Sequence, residues 1–102
     1  MALFFIRTDT GQVATQRQLI DADIARDDGT PPPAPWFQIR ATGDATTLWY
    51  AVMRKRTRGI FIGALCIRHG PQHASLTHAG WQEVAVGDVG VDRAPGGAPA
   101  GA

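Results

Sequence analysis

Hydrophobic positions along the chain fall into a short opening run, one helical stripe and a long apolar stretch from Trp36 to His69. The opening run predicts a strand over Ala2–Thr8. Leu3 and Phe5 would face one way, Phe4 and Ile6 the other, so both faces ask for cover. Thr8-Asp9-Thr10-Gly11 closes it with turn-forming residues. Thr15 followed by Gln18 is a capping box, in which each side chain satisfies a free N–H at a helix start. The spacing predicts a helix from Gln16 to Asp27, closed by Gly29 and Pro31. Ile20 and Ile24 would stack one turn apart beside Leu19, with Ala22 and Ala25 opposite and Asp23 and Asp27 close to the stripe. Two readings follow for these acids: a helix that ends early with solvated aspartates, or an acidic helix end that meets a cation.

Thr30–Pro35 must be extended, since each proline turns its predecessor away from the α region. Pro32 and Pro35 match a P-x-x-P ligand, but a short run between two elements reads as a crossover. From Trp36 the pattern predicts a three-stranded antiparallel meander: Phe37–Ala41, Thr47–Lys55 and Gly59–Arg68, with Arg54–Arg58 as its second turn. Phe37, Ile39 and Ala41 alternate with polar residues. The other two strands have no polar side along their middle, as Leu48, Tyr50 and Val52 oppose Trp49, Ala51 and Met53. An antiparallel sheet normally wets one face. Here the second face predicts either the first strand wrapping round in a partly closed sheet, or a second copy of the chain. In the latter case Trp49, Met53, Ile60 and Ile62 form the interface of a homo-oligomer, most simply a dimer.

After His69 the signals weaken. Pro71 and Gly80 bracket a short irregular or helical segment, for Ser75, Thr77 and His78 are poor helix formers. Trp81–Val86 alternates as a last strand would. The fold class expected is therefore α+β: strand, helix, three-stranded meander, irregular segment, last strand, in a small mixed or partly closed sheet. It forms one domain over residues 1–87, followed by a flexible Gly/Ala/Pro-rich tail over 88–102.

Composition narrows the class more than the function. Hydrophobic residues at 44% and charged residues at 19% suit a globular chain. No apolar run approaches the ~20 residues of a membrane span, and the opening segment is too short for a secretory signal. The single Cys66 forms no internal disulfide and suits a reducing compartment, so a cytoplasmic protein without membrane contact is expected. Arginine in excess of lysine, with abundant alanine, glycine and proline, fits a GC-rich bacterial genome. A net charge of +1 does not announce a nucleic-acid binder, so the placement of charges must carry any electrostatic argument.

That placement is uneven. Between Asp44 and Glu83 there is no acid, yet Arg54, Lys55, Arg56, Arg58 and Arg68 lie in that span. Crowded like charges cost stability unless an anion is near, and a two-stranded ribbon fits a DNA major groove with arginines forked onto phosphate or guanine. Three readings stay open: a contact with DNA, RNA or another polyanion; a solvated tip that blunts the sheet edge; and a self-complementary contact with Asp23, Asp27 and Asp28. The order Trp49-Tyr50-Ala51-Val52, a basic turn, then Arg58-Gly59-Ile60-Phe61-Ile62-Gly63 resembles the last two strands of the plant-type AP2 or integrase DNA-binding domain. The resemblance implies strands that read the major groove with a helix behind. It is confined to that stretch, and Gly70, Pro71 and Gly80 stand where the family has an Ala-rich helix.

Cys66, His69, His73 and His78 supply sulfur and nitrogen in a short span, the ligand types of a tetrahedral zinc site. Cys66 and His69 would lie on opposite faces of a strand, and Gly70-Pro71 breaks any helix joining His69 to His73, so no metal or other cofactor is specified. Nor is a catalyst: there is no G-x-S-x-G, phosphate-cradling glycine loop or H-E-x-x-H. The sequence thus predicts a small binding module acting through Arg54–Arg58, with a homo-oligomeric accessory protein as the alternative and a small zinc protein third.

Overall fold

The computed structural model describes residues 3–40 and 50–91, and these form an α+β fold of two small, open antiparallel sheets. In chain order the elements are β1 (Phe4–Arg7), β2 (Val13–Thr15), α1 (Gln16–Asp21), β3 (Trp36–Gln38), β4 (Tyr50–Thr57), β5 (Ile60–Ile67), α2 (Pro71–His78) and β6 (Gln82–Glu83), with a 3₁₀ turn at Val86–Asp88. One sheet has the order β2-β1-β3 and the other β5-β4-β6.

The two sheets face each other across the main core. Phe4, Ile6 and Val13 from the first and Val52 and Leu65 from the second meet there, with Ile39 and Val84. The alternation of β1 sends Phe5 to the outer face, where Ala14, Leu19, Ala25 and Trp36 cover it. On the outer face of the second sheet, Ala51, Met53 and Cys66 lie under Leu76 and Trp81. Both faces of the central strands are therefore covered within one chain, by a downstream helix on one side and the first sheet on the other. The sheets touch edgewise as well: Phe61 N–H donates to the Thr8 carbonyl at 2.9 Å and Leu65 N–H to the Arg40 carbonyl at 3.2 Å.

The α+β class stands, while several elements differ from expectation. Trp36–Gln38 does not lead a meander but pairs with β1, in the register Ile6↔Phe37. β1 is buried on both faces, and its edge is filled on one side by β2 and on the other by β3. The second neighbour of β4 is instead the short β6. The capping box forms as spaced: Thr15 Oγ1 accepts from Gln18 N–H at 3.1 Å and Gln18 Oε1 accepts from Thr15 N–H at 2.8 Å. The helix then stops at Asp21 rather than near Asp27. Asp23 takes a left-handed φ of 66°, and the chain folds back so that Ile24 and Ala25 N–H groups both reach the Leu19 carbonyl. That reversal buries Ala25, which a continuing helix would have turned outward.

Pro71–His78, expected as a short irregular or helical segment, is an eight-residue helix. Pro71 takes the first position, where its missing N–H costs nothing, and Thr77 Oγ1 satisfies the His73 carbonyl at 2.8 Å. The strand expected over Trp81–Val86 shrinks to Gln82–Glu83. Residues 88–91, expected within the tail, are tied into the fold. Val89 bridges Val13, its carbonyl accepts from Gln18 Nε2 at 3.1 Å, and Gly90 N–H donates to the Val13 carbonyl at 2.8 Å. No described helix is long and apolar enough to cross a membrane.

Candidate functional site

β4 and β5 are each eight residues long and pair without interruption from Tyr50↔Ile67 to Thr57↔Ile60. The turn between them is Arg58-Gly59, with φ of 52° and 84°, the positive pair that a type I′ hairpin requires. Arg54, Lys55 and Arg56 are therefore strand residues, not turn residues, and alternate across the ribbon. Arg54 and Arg56 share a face with Phe61, while Lys55 shares the other with Ile60 and Ile62.

On the first face the Phe61 ring organises the arginines. The Arg54 guanidinium carbon lies 6.0 Å from the ring centroid and that of Arg56 5.6 Å. Arg54 Nη1 also donates to the Gly11 carbonyl, which belongs to the turn leaving β1. On the second face Lys55 Nζ donates to the Ala79 carbonyl at 3.0 Å, at the C-terminal end of α2 where a cation is favoured. Arg56 and Arg58 are exposed.

None of Arg54, Lys55, Arg56 and Arg58 forms an ion pair among the described residues. The nearby acids are committed elsewhere. Asp9, in the turn that abuts β5, is held by Arg7 at 2.7 Å, and that hydrogen bond keeps its carboxyl below the ordinary range. Glu83 binds Arg68 at 2.8 Å and His73 at 3.0 Å. Arg68 is thereby separated from the cluster: it pairs with Glu83 and reaches the Tyr50 carbonyl at 3.4 Å, at the far end of the strand. Asp23, Asp27 and Asp28 make no ion pair with the ribbon among the described residues. Asp28 instead is hydrogen-bonded by the Thr30 side chain and accepts from Thr30 N–H at 2.9 Å, and these bonds lower its pKa.

The residues expected at an oligomer interface do not stay together. Met53 is 0% exposed, enclosed with Ala51 and Cys66 beneath α2, and has no surface to offer a partner. Ile60 is 47% exposed and Ile62 partly so, both near the ribbon's end. Trp49 lies outside the described residues.

Of the candidate zinc ligands, His69 and His73 have ring centroids 5.7 Å apart and line one recess with His78, whereas Cys66 lies apart from them. Cys66 is buried in the core, and burial together with the Glu83 charge pushes its thiol pKa up, opposite to what a metal-binding thiolate needs. His73 Nδ1 accepts the His69 backbone N–H at 2.9 Å, which leaves the ring proton on Nε2 to donate to Glu83. Both ring nitrogens are thus in use. The described residues contain no group of three or more metal-type ligands. Native Cys66 is therefore expected to resist a thiol reagent until urea unfolds the chain, and fast native reaction would show that α2 does not seal it. The same raised pKa sets a sign for alkaline stability. Below the ordinary thiol range both states hold the proton and nothing is lost. As pH rises above it the unfolded chain ionises first, so stability falls until the folded thiol titrates as well.

No family model, curated protein or solved structure matches the chain. The likeness of residues 49–63 to the AP2 strands is therefore not accompanied by a family match.

The charge cluster is legible in the sequence, but its support is not. Gly11, Ala79 and Gln82, which surround the cations, are distant in sequence and carry no motif. The signal that was available is Arg58-Gly59, the dipeptide that locates the turn beyond the cluster.

Proposed function

We propose that this chain is a small binding module that lays a nucleic acid or another polyanion along the distal β4–β5 ribbon. One observation carries the reading: Arg54, Lys55, Arg56 and Arg58 are gathered at the end of a hairpin of two eight-residue strands, and no carboxylate among the described residues pairs with them, although the chain's net charge is only +1. Holding cations unpaired costs stability through self-repulsion, which a phosphate backbone would relieve. Arg54 and Lys55 are anchored on carbonyls, so their positions are set before a ligand arrives. A cytoplasmic setting in a bacterial cell is part of the proposal, supported by the lone buried thiol and the arginine-rich composition.

Anisotropy titrations of labelled DNA and RNA oligomers across a salt series test it. Log affinity should fall linearly with log salt, and Arg56→Ala with Arg58→Ala should reduce the slope by roughly 0.9 for each duplex phosphate no longer neutralised. Binding indifferent to both changes removes the ribbon from any such role.

A second reading, self-association through the opposite face, is favoured by exposed Ile60 beside Ile62. It expects a dimer in sedimentation that Ile60→Glu dissociates. A monomer at high concentration ends it.

A further inference from the structure

At the open edge of β4 the ribbon holds a feature that its net charge does not reveal. β6 pairs with β4 only at Met53↔Glu83 and Arg54↔Gln82, and Val84 N–H donates to the Val52 carbonyl. Going back from Gln82, the chain leaves the sheet at Gly80, whose φ is 94°. Backbone groups of an antiparallel strand alternate in direction, so Val52, Arg54 and Arg56 all aim theirs at this edge. The first two meet β6. Arg56 follows the last β6 pair on this edge, and a recess of about 230 Å³ there is lined by Arg54, Lys55, Arg56, Phe61, Gly80 and Gln82.

We propose that this recess binds a phosphoryl group, an inference that rests on the polyanion reading and assigns one phosphate of the ligand to it. A single water occupies roughly 30 Å³ of liquid, so the recess has room for a tetrahedral oxyanion together with water. Donor-bearing residues line it from both faces of the strand, Arg54 and Arg56 with the exposed Gln82 belonging to one face and Lys55 to the other. The internal bonds to the Gly11 and Ala79 carbonyls each use one donor group. A guanidinium has five N–H donors and an ammonium three, so most have no partner among the described residues. Planar carboxylates are satisfied by one arginine fork, whereas donors converging from several directions suit a tetrahedral anion. Glu83, next to Gln82, is held by Arg68 and His73 and does not fill the site.

Nitrogen-15 NMR titrations of the full chain with inorganic phosphate and, separately, with a short oligothymidylate decide the matter. The expected result with phosphate is a saturable shift largest at the Arg56 amide and the Gln82 side-chain amide, with smaller changes at Arg58 and Gly59. Gln82→Ala and Lys55→Gln should each weaken phosphate about tenfold, the equivalent of one charge-assisted hydrogen bond, and each variant's spectrum reports whether it is folded. Arg17→Gln, a charge change on α1 outside the ribbon, should leave phosphate binding unchanged. Saturation by phosphate without oligonucleotide binding upholds the pocket, assigns it to free phosphate and ends the polyanion reading. Oligonucleotide binding that depends on Arg58 but leaves the Arg56 amide unmoved overturns the pocket and keeps the ribbon. Shifts from phosphate that are non-saturable, or as large at Arg58 and Gly59 as at Arg56, overturn it as well.

Discussion

Gly11→Ala is expected to cost roughly 2–5 kcal/mol, combining ~1–2 for a left-handed residue with ~1–3 for overpacking. Gly11 has a φ of 78°, and an added Cβ would stand 2.7 Å from the Phe61 ring. The ring is held in place, because Phe61 N–H is bonded to the Thr8 carbonyl and the Arg54 and Arg56 guanidinium groups lie over the ring. Gly59→Ala is the control. Its φ of 84° carries the same conformational cost, but nothing lies within 4 Å of the added atom. In urea titrations the midpoint should drop clearly further for Gly11→Ala than for Gly59→Ala. Equal losses would mean that the first turn does not press on β5.

Met53→Ala is the second large effect, about 2–5 kcal/mol for truncating an enclosed methionine. Met53 is fully buried between Ala51, Cys66, Leu76 and Trp81, so the vacated space opens under α2. Two further changes accompany the destabilisation. Cys66 should become reactive in the native state, and the unfolding midpoint should not depend on protein concentration. A concentration-dependent midpoint would instead show that Met53 stabilises an assembly.

Several elements could be read from sequence because their causes are local. Thr15 and Gln18 announced the start of α1, and Pro71 the start of α2. The need for cover on both faces of the long strands was visible in Ala51, Met53 and Cys66, but not what supplied it. Leu76 and Trp81 lie downstream in a segment with weak propensity, held partly by the His73–Glu83 contact. The end of α1 was hidden because Asp23 adopts a left-handed conformation in which glycine would be expected. β3 was misplaced because sequence adjacency favoured β4, while hydrogen bonding to β1 prevailed. At the candidate site, four clustered cations looked like a turn, since Arg-Gly is a weaker hairpin signal than Asn-Gly. Arg58→Asn should therefore keep the hairpin while removing one charge.

The tie between β2 and residues 89–90 also governs when the protein can be finished. Gln12 and Gly90 stand 78 positions apart, and Gln18 and Val89 71, yet these pairs close the same border of the first sheet. A nascent chain can zip β4 onto β5 as soon as that hairpin leaves the ribosome. β2 must wait until residues 89–90 have emerged before that border is sealed, so the hairpin precedes the closing of the first sheet.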